Sequence, residues 1–303
     1  YSLIQPNDHV NMAQSTNDVC PTAIRIGAVL LSRSLLLALQ DAENAFSLKA
    51  KEFYGIVKSG RTHLQDAVPV RLGQEFGAYA ACLRKHQAAI RRASESSQEL
   101  GIGGTAVGTG INAHPQYRPM MVQELSRDLG IEFRMAEDYF EAMQSLRPFV
   151  ELSGSVRCLA QDLIRIANDL RLMGSGPKTG FAEIFLPAVQ PGSSIMPGKV
   201  NPVMAEMVDM VCFQAIGCDT TILLAAQAGQ LELNVMMPVV AFNLLHEIEI
   251  LENALRAIGG EQADIVVQQP FVGQRQQVVR VVGRVVPDVE PFAEARPPHQ
   301  VPH

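Results

Sequence analysis

The chain has 303 residues, 47% hydrophobic and 18% charged, enough for one large domain or two ordinary ones with a sizeable core. A formal net charge of −6 argues against non-specific binding to nucleic acid or anionic membrane, and the lack of Trp disfavours aromatic stacking on bases or sugars. Affinity for an anionic ligand must therefore come from a local positive site.

In chain order, a polar stretch over residues 5–18 precedes a helix expected over about 21–51, and a loop over 59–69 precedes a second helix over about 74–100. The glycine-rich stretch Gly101-Ile102-Gly103-Gly104-Thr105-Ala106-Val107-Gly108-Thr109-Gly110 has the look of a nucleotide loop. It lacks the Lys-Ser/Thr of a P-loop and follows no strand, so that reading is rejected. Phe149, Leu152, Val156, Leu159, Leu163, Ile166, Leu170 and Met173 recur at alternating steps of three and four. This heptad seam predicts a helix that needs partners along its whole length. Met204, Met207, Val211, Ala215, Cys218, Ile222 and Ala225 form a softer seam after a loop over 186–201. Leu244, Ile248, Leu251, Leu255 and Ile258 form a third, after a break near Pro238. Five long helices predict an all-α, up-and-down bundle, and seams of this length predict a homo-oligomer.

After Ile258 the composition changes. Residues 259–303 contain no Leu, Met, Ser, Thr, Lys or Asn, and about a quarter are Val. The helical period disappears, and Val278-Val279-Arg280-Val281-Val282 has a strand pattern with no sheet to join. The expected division is a helical body over 1–258 and an atypical, disordered or poorly packed tail over 259–303. The chain opens at Tyr1 without Met, which suggests a fragment or a trimmed start. Cys20, Cys82, Cys158, Cys212 and Cys218 are scattered and odd in number, with no Cys-x-x-Cys pair. They read as buried thiols in a reducing, cytoplasmic setting rather than disulfide partners or zinc ligands. The histidines show no His-Glu-x-x-His spacing, so no metal and no cofactor are expected. No membrane-spanning apolar run and no signal peptide are read.

Three loops carry the chemistry. Pro191-Gly192-Ser193-Ser194-Ile195-Met196-Pro197-Gly198-Lys199-Val200-Asn201-Pro202 places two hydroxyls on a Gly/Pro-shaped loop beside a lysine. Asn201 is expected as the N-cap of the next helix and Pro202 as its first residue. The free amides and Lys199 would then make an anion site next to a hydroxyl base, the arrangement needed to remove a proton alpha to a carboxylate. Asn11-Met12-Ala13-Gln14-Ser15-Thr16-Asn17-Asp18 puts three hydrogen-bonding side chains at a helix start, which suits a carboxylate or a simple cap. Gly60-Arg61-Thr62-His63-Leu64-Gln65-Asp66-Ala67-Val68-Pro69 sets a histidine on a polar turn.

These three segments resemble the signatures of the aspartase/fumarase superfamily of lyases, and the resemblance covers roughly residues 4–258. It implies that Ser15, Thr16 and Asn17 bind substrate, as do Thr62 and His63, with His63 paired to Glu206. It further implies that Ser193 is the catalytic base on a loop that closes over the substrate. Ser194, Lys199 and Asn201 would hold a carboxylate. The substrate implied is a four-carbon dicarboxylate, in a homotetramer whose active sites are each assembled from three subunits. Pro197-Gly198-Lys199, where argininosuccinate and adenylosuccinate lyases have Pro-Gln-Lys, sets those relatives aside. Gln14-Ser15-Thr16-Asn17, Ser175-Gly176-Pro177-Lys178-Thr179-Gly180 and Ala228-Gly229-Gln230-Leu231-Glu232-Leu233-Asn234-Val235-Met236 look like the ammonia-eliminating branch. The expected reaction is L-aspartate to fumarate and ammonia; the alternatives are fumarate/L-malate hydration or an inactive structural relative. Gln5 stands where many fumarases carry a histidine. The family's N-terminal segment, with a further carboxylate-binding threonine, and its C-terminal subdomain are not found in this sequence.

Overall fold

The structure, a computed structural model, describes residues 3–262 and 265–267. Its α-helices among these residues are α1 (Thr16–Glu52), α2 (Leu72–Glu95), α3 (Tyr117–Leu129), α4 (Tyr139–Gln144), α5 (Arg147–Met173), α6 (Val203–Gln227) and α7 (Met237–Gln262). The fold is all-α in its core, as expected. The five long helices close into a ring in the order α1, α2, α5, α6, α7, with α7 returning to α1. Neighbours run antiparallel except α1 and α7, which are parallel: Gly27 faces Leu245 near one end and Gly259 faces Ala42 near the other. An odd number of helices cannot alternate all the way round a closed ring, so one parallel contact is obligatory.

Every residue of the Phe149–Met173 seam is buried. It is covered by α2 and α6 of the same chain, which corrects the expectation that the seam itself demands another subunit. The face left bare is the opposite side of α6, where Met210, Phe213 and Leu224 are exposed at steps near the helical repeat. By length and composition, Thr16–Gly55 and Val203–Gln227 could each cross a membrane, contrary to the sequence reading. Both are walls of this bundle, with 50% and 33% of their most apolar windows buried in it.

The helix boundaries shift for identifiable reasons. Helix α1 begins at Thr16 rather than near Pro21, because Ser15 caps it, and Pro21 lies inside the helix as its sixth residue. Helix α2 ends at Glu95, and Leu100 lies instead in a short strand, β3 (Glu99–Leu100), parallel to β4 (Arg134–Met135). The segment expected as a loop over 59–69 is a hairpin of β1 (Val57–Thr62) and β2 (Gln65–Arg71). Helices α3 and α4 were not anticipated; α3 helps cover a small second core of Val29, Leu100, Ile102, Val122, Ile131 and Phe133. Helix α7 runs past the expected end at Ile258 to Gln262. Ile265 is buried, and β6 (Val266–Val267) pairs with β5 (Ile184–Phe185). The remainder of the tail, including Val278 to Val282, lies outside the described residues. The cysteines are all free, but only Cys212 and Cys218 are buried; Cys82 is partly exposed and Cys20 and Cys158 are exposed.

Candidate active site

The start of α1 is a clasp. Ser15 Oγ accepts the Asn17 N–H at 3.1 Å, and Asp18 Oδ1 accepts the Ser15 N–H at 2.9 Å. Asp18 is fully buried, and its Oδ2 accepts the N–H groups of Gly103 and Thr105, both at 2.9 Å. Asn17 Nδ2 donates to the Ala106 carbonyl at 2.9 Å. The first motif is thus bolted to the glycine-rich loop. On the other side of that loop, Arg118 donates to the carbonyls of Gly103 (2.9 Å) and Gly108 (3.2 Å) and stacks 3.9 Å over the Tyr139 ring. Gly103 has φ +84°, and a Cβ there would sit 2.6 Å from Arg118 Cγ, so no side chain fits. Sequence reasoning rejected the nucleotide reading of this loop and gave it no partner in the first motif. The available signal was the Asp that follows Ser15-Thr16-Asn17, an anion able to gather loop amides. Thr16 is exposed in the first turn.

The hairpin tip carries the second motif. His63 (φ +54°) and Leu64 (φ +60°) are its two central residues, both left-handed, as a two-residue primed turn requires. Such turns usually contain Gly or Asn, and neither is present, which is why the sequence read as a loop. Thr62, His63 and Leu64 are exposed. The hairpin base is held by charge: Lys58, itself buried, places Nζ 2.8 Å from Glu75 Oε2 and 2.5 Å from Glu183 Oε2. Arg61 Nη1 lies 2.7 Å from Glu183 Oε1, and its guanidinium sits 4.1 Å from the Phe181 ring. Burial raises the pKa of Glu75, against the pull of Lys58. Glu183 thereby joins the hairpin to the segment that leads into the third motif.

That third loop folds back on itself. A Cβ at Gly192 would lie 1.9 Å from the Lys199 carbonyl oxygen, so glycine is required for the approach. Asn201 Nδ2 donates to the Gly192 carbonyl at 2.8 Å and closes the loop. This corrects the expected capping: α6 starts at Val203 with Pro202 at the N-cap position, and the Asn201 amide is engaged nine residues back. Ser193 Oγ accepts two backbone N–H groups, from Ile195 at 3.2 Å and Met196 at 3.1 Å. Residues 188–193 and 197–200 line a cavity of about 520 Å³, with Ser194 and Lys199 exposed. Glu206, in the first turn of α6, lies 3.7 Å from Arg171 Nη2. Among the described residues, no hydrogen bond joins Glu206 to His63 in one chain. Arg171 also pairs with Asp209 at 2.8 Å, whose carboxyl pKa burial raises in spite of that contact.

The three motifs fall into two groups. Arg25 of α1 donates to the Ser96 carbonyl and covers the Phe149 ring, so the first motif shares an end with the close of α2 and the start of α5. Lys58 contacts Met173 at the close of α5. His63, Ser193, Lys199 and Glu206 therefore belong to the opposite end. The second and third motifs thus share one end of the bundle, and the first lies at the other. Helix α1 has 37 residues. It keeps Ser15 on the order of 50 Å from the other end at 1.5 Å per residue.

The chain is thus a ring of long helices with a serine–lysine loop at one end and a Ser-Thr-Asn clasp at the other. A family model described as lyase matches residues 2–217, and the chain belongs to that family. It is 51% identical over 257 residues to an aspartate ammonia-lyase of Bacillus subtilis, covering 85% of this chain and 54% of that protein. A class II fumarate hydratase of Pseudomonas aeruginosa is 49% identical over 256 residues, covering 84% of this chain and 56% of that protein. Among solved structures, a class II fumarase from Schistosoma mansoni superposes with a TM-score of 0.87 at 36% identity, covering 92% of this chain and 60% of that one. A fumarate lyase:delta crystallin from Brucella melitensis gives 0.86 at 43% identity, covering 94% and 63%. The chain spans about half the length of the curated relatives it matches.

Proposed function

We propose that this lyase eliminates ammonia from L-aspartate to give fumarate, with Ser193 as the base. Ser193 Oγ takes a proton from Cβ. The electron pair left behind spreads into the adjacent carboxylate as an aci-form, then forms the C=C bond as ammonia leaves Cα. The observation that carries this reading is the pair of N–H groups aimed at Ser193 Oγ. Two donors favour the ionised oxygen and lower the cost of using a hydroxyl as base. Lys199 and Ser194, exposed on the same loop, provide the charge and hydroxyl that stabilise the doubly charged carboxylate as it develops. Asn201 closes this loop and borders the same carboxylate, while Ser15, Thr16, Asn17, Thr62 and His63 bind the rest of the substrate.

Each site takes residues from several chains of a homotetramer. This is supported by the separation of Ser15 from Ser193 by the length of α1, and by the bare apolar face of α6. Glu206 then meets His63 from a neighbouring chain. Five free cysteines support a reducing, cytoplasmic location. A second reading, hydration of fumarate to L-malate, is favoured by the 49% identity to a class II fumarate hydratase. Fumarate absorbance, followed with purified protein and either L-aspartate or L-malate, separates the two. The account expects fumarate from L-aspartate; fumarate from L-malate alone would reverse it.

A further inference from the structure

Away from the three loops, α2 and α5 bring together three ligand-type side chains that the elimination chemistry does not use. Cys82 and His86 are one turn apart on α2, and Asp162 faces them from α5. Asp162 Oδ2 lies 3.1 Å from Cys82 Sγ and 2.8 Å from His86 Nε2, and the three ligand atoms all lie within 4.8 Å of one another. All three residues are partly buried, and Arg165 Nε holds the other carboxylate oxygen at 3.3 Å.

We propose that Cys82, His86 and Asp162 form a binding site for one divalent cation of the zinc type, with solvent in the fourth position. Tetrahedral zinc uses this donor set, at about 2.3 Å to sulfur and about 2.0–2.2 Å to nitrogen and oxygen. Those bond lengths put neighbouring ligand atoms on the order of 3.3–3.6 Å apart, so Asp162 must draw back from Cys82 Sγ and His86 Nε2 by roughly half an ångström to admit the ion. Helical spacing of four presents sulfur and nitrogen on one face, and the bundle supplies the oxygen. The charges also match: a thiolate and a carboxylate neutralise a divalent cation, so little net charge is left in a partly buried place. Without a cation, burial and then the neighbouring Asp162 raise the Cys82 thiol pKa. A cation reverses that balance by binding the thiolate, and the thiol proton goes to solvent. Arg165, on the far oxygen, keeps the Asp162 carboxylate turned toward the site. Sequence spacing alone does not reveal this site, because its third ligand comes from another helix 76 residues further on.

The test is titration of the folded, reduced, chelator-treated 303-residue chain with CoCl2, followed by absorbance. The expected result is a thiolate-to-cobalt charge-transfer band and visible bands of four-coordinate intensity, saturating at one equivalent and bleached by ZnCl2. Cys82→Ser should remove the charge-transfer band, while Cys20→Ser and Cys158→Ser keep it. Asp162→Asn retains hydrogen bonding to its neighbours and should weaken cobalt binding by more than roughly 10-fold, the usual cost of disturbing even an outer-sphere partner. It serves as the second variant should Cys82→Ser not fold, as judged by circular dichroism. Absence of the charge-transfer band in the unsubstituted chain overturns the proposal. So does an unchanged band in folded Cys82→Ser, or unchanged affinity in folded Asp162→Asn.

Discussion

Asp18 Oδ2 accepts the backbone N–H of Gly103 at 2.9 Å across 85 positions of sequence, joining the start of α1 to the glycine-rich loop. The same carboxylate also takes the N–H groups of Thr105 and Ser15. Asp18→Ala would leave those donors without their acceptor in a fully buried place. The expected loss is about 3 kcal/mol or more, since each buried unpaired donor costs roughly 1–3 kcal/mol. Urea denaturation checks it, and a change below about 1 kcal/mol would show that the clasp contributes little to stability.

Glu247 gives a pH signature. It is fully buried on α7, neither carboxyl oxygen has a hydrogen-bond partner among the described residues, and nearby Ser153 donates to Asp219 at 2.9 Å. Its pKa is pushed up to about 9, first by burial and then by Asp219, against the Ser153 hydroxyl. The folded state therefore keeps a proton that the unfolded chain releases near the ordinary carboxylate pKa of about 4.3. The folded state binds more protons in this window, so stability falls as pH rises from there towards 9, by up to about 1.4 kcal/mol per unit. Glu247→Gln should flatten that slope and be relatively more stable at about pH 8.5 than at about pH 5. Parallel urea profiles for the two proteins across this range would contradict the assignment.

Ser193→Ala should remove nearly all turnover on L-aspartate while leaving substrate affinity broadly intact, because a base acts on the proton rather than on binding. Lys199→Met should weaken both, by about 2.7–4 kcal/mol in transition-state stabilisation if it is one of the charge-stabilising donors. Steady-state kinetics with independent fumarate binding checks the split. Near-normal turnover in Ser193→Ala would place the base elsewhere.

Legibility differed by element for physical reasons. The α5 seam was readable because steps of three and four from Phe149 to Met173 fit only a helix with one buried stripe. What covers that stripe was not readable, since α2 and α6 reach it only through tertiary packing. The hairpin at His63 was missed because His63 and Leu64 hold left-handed backbone without Gly or Asn. Asn201 was misassigned because its amide has a long-range alternative, the Gly192 carbonyl, to capping the adjacent helix. The identities of Ser193 and Lys199 as a loop pair were legible in full. The two amides that address Ser193 Oγ depend on a turn that only the folded loop reveals.

The central claim is that Ser193 acts on substrate held by the Ser15-Thr16-Asn17 segment of a different chain. Its most direct test is complementation. Thr16→Ala and Ser193→Ala chains, each purified and nearly inactive on L-aspartate, are dissociated, mixed and reassembled, with mixed oligomers verified by mass. The account predicts that fumarate production returns, because some sites then draw Thr16 from one chain and Ser193 from another. Verified mixed oligomers that remain as inactive as their parents would contradict it.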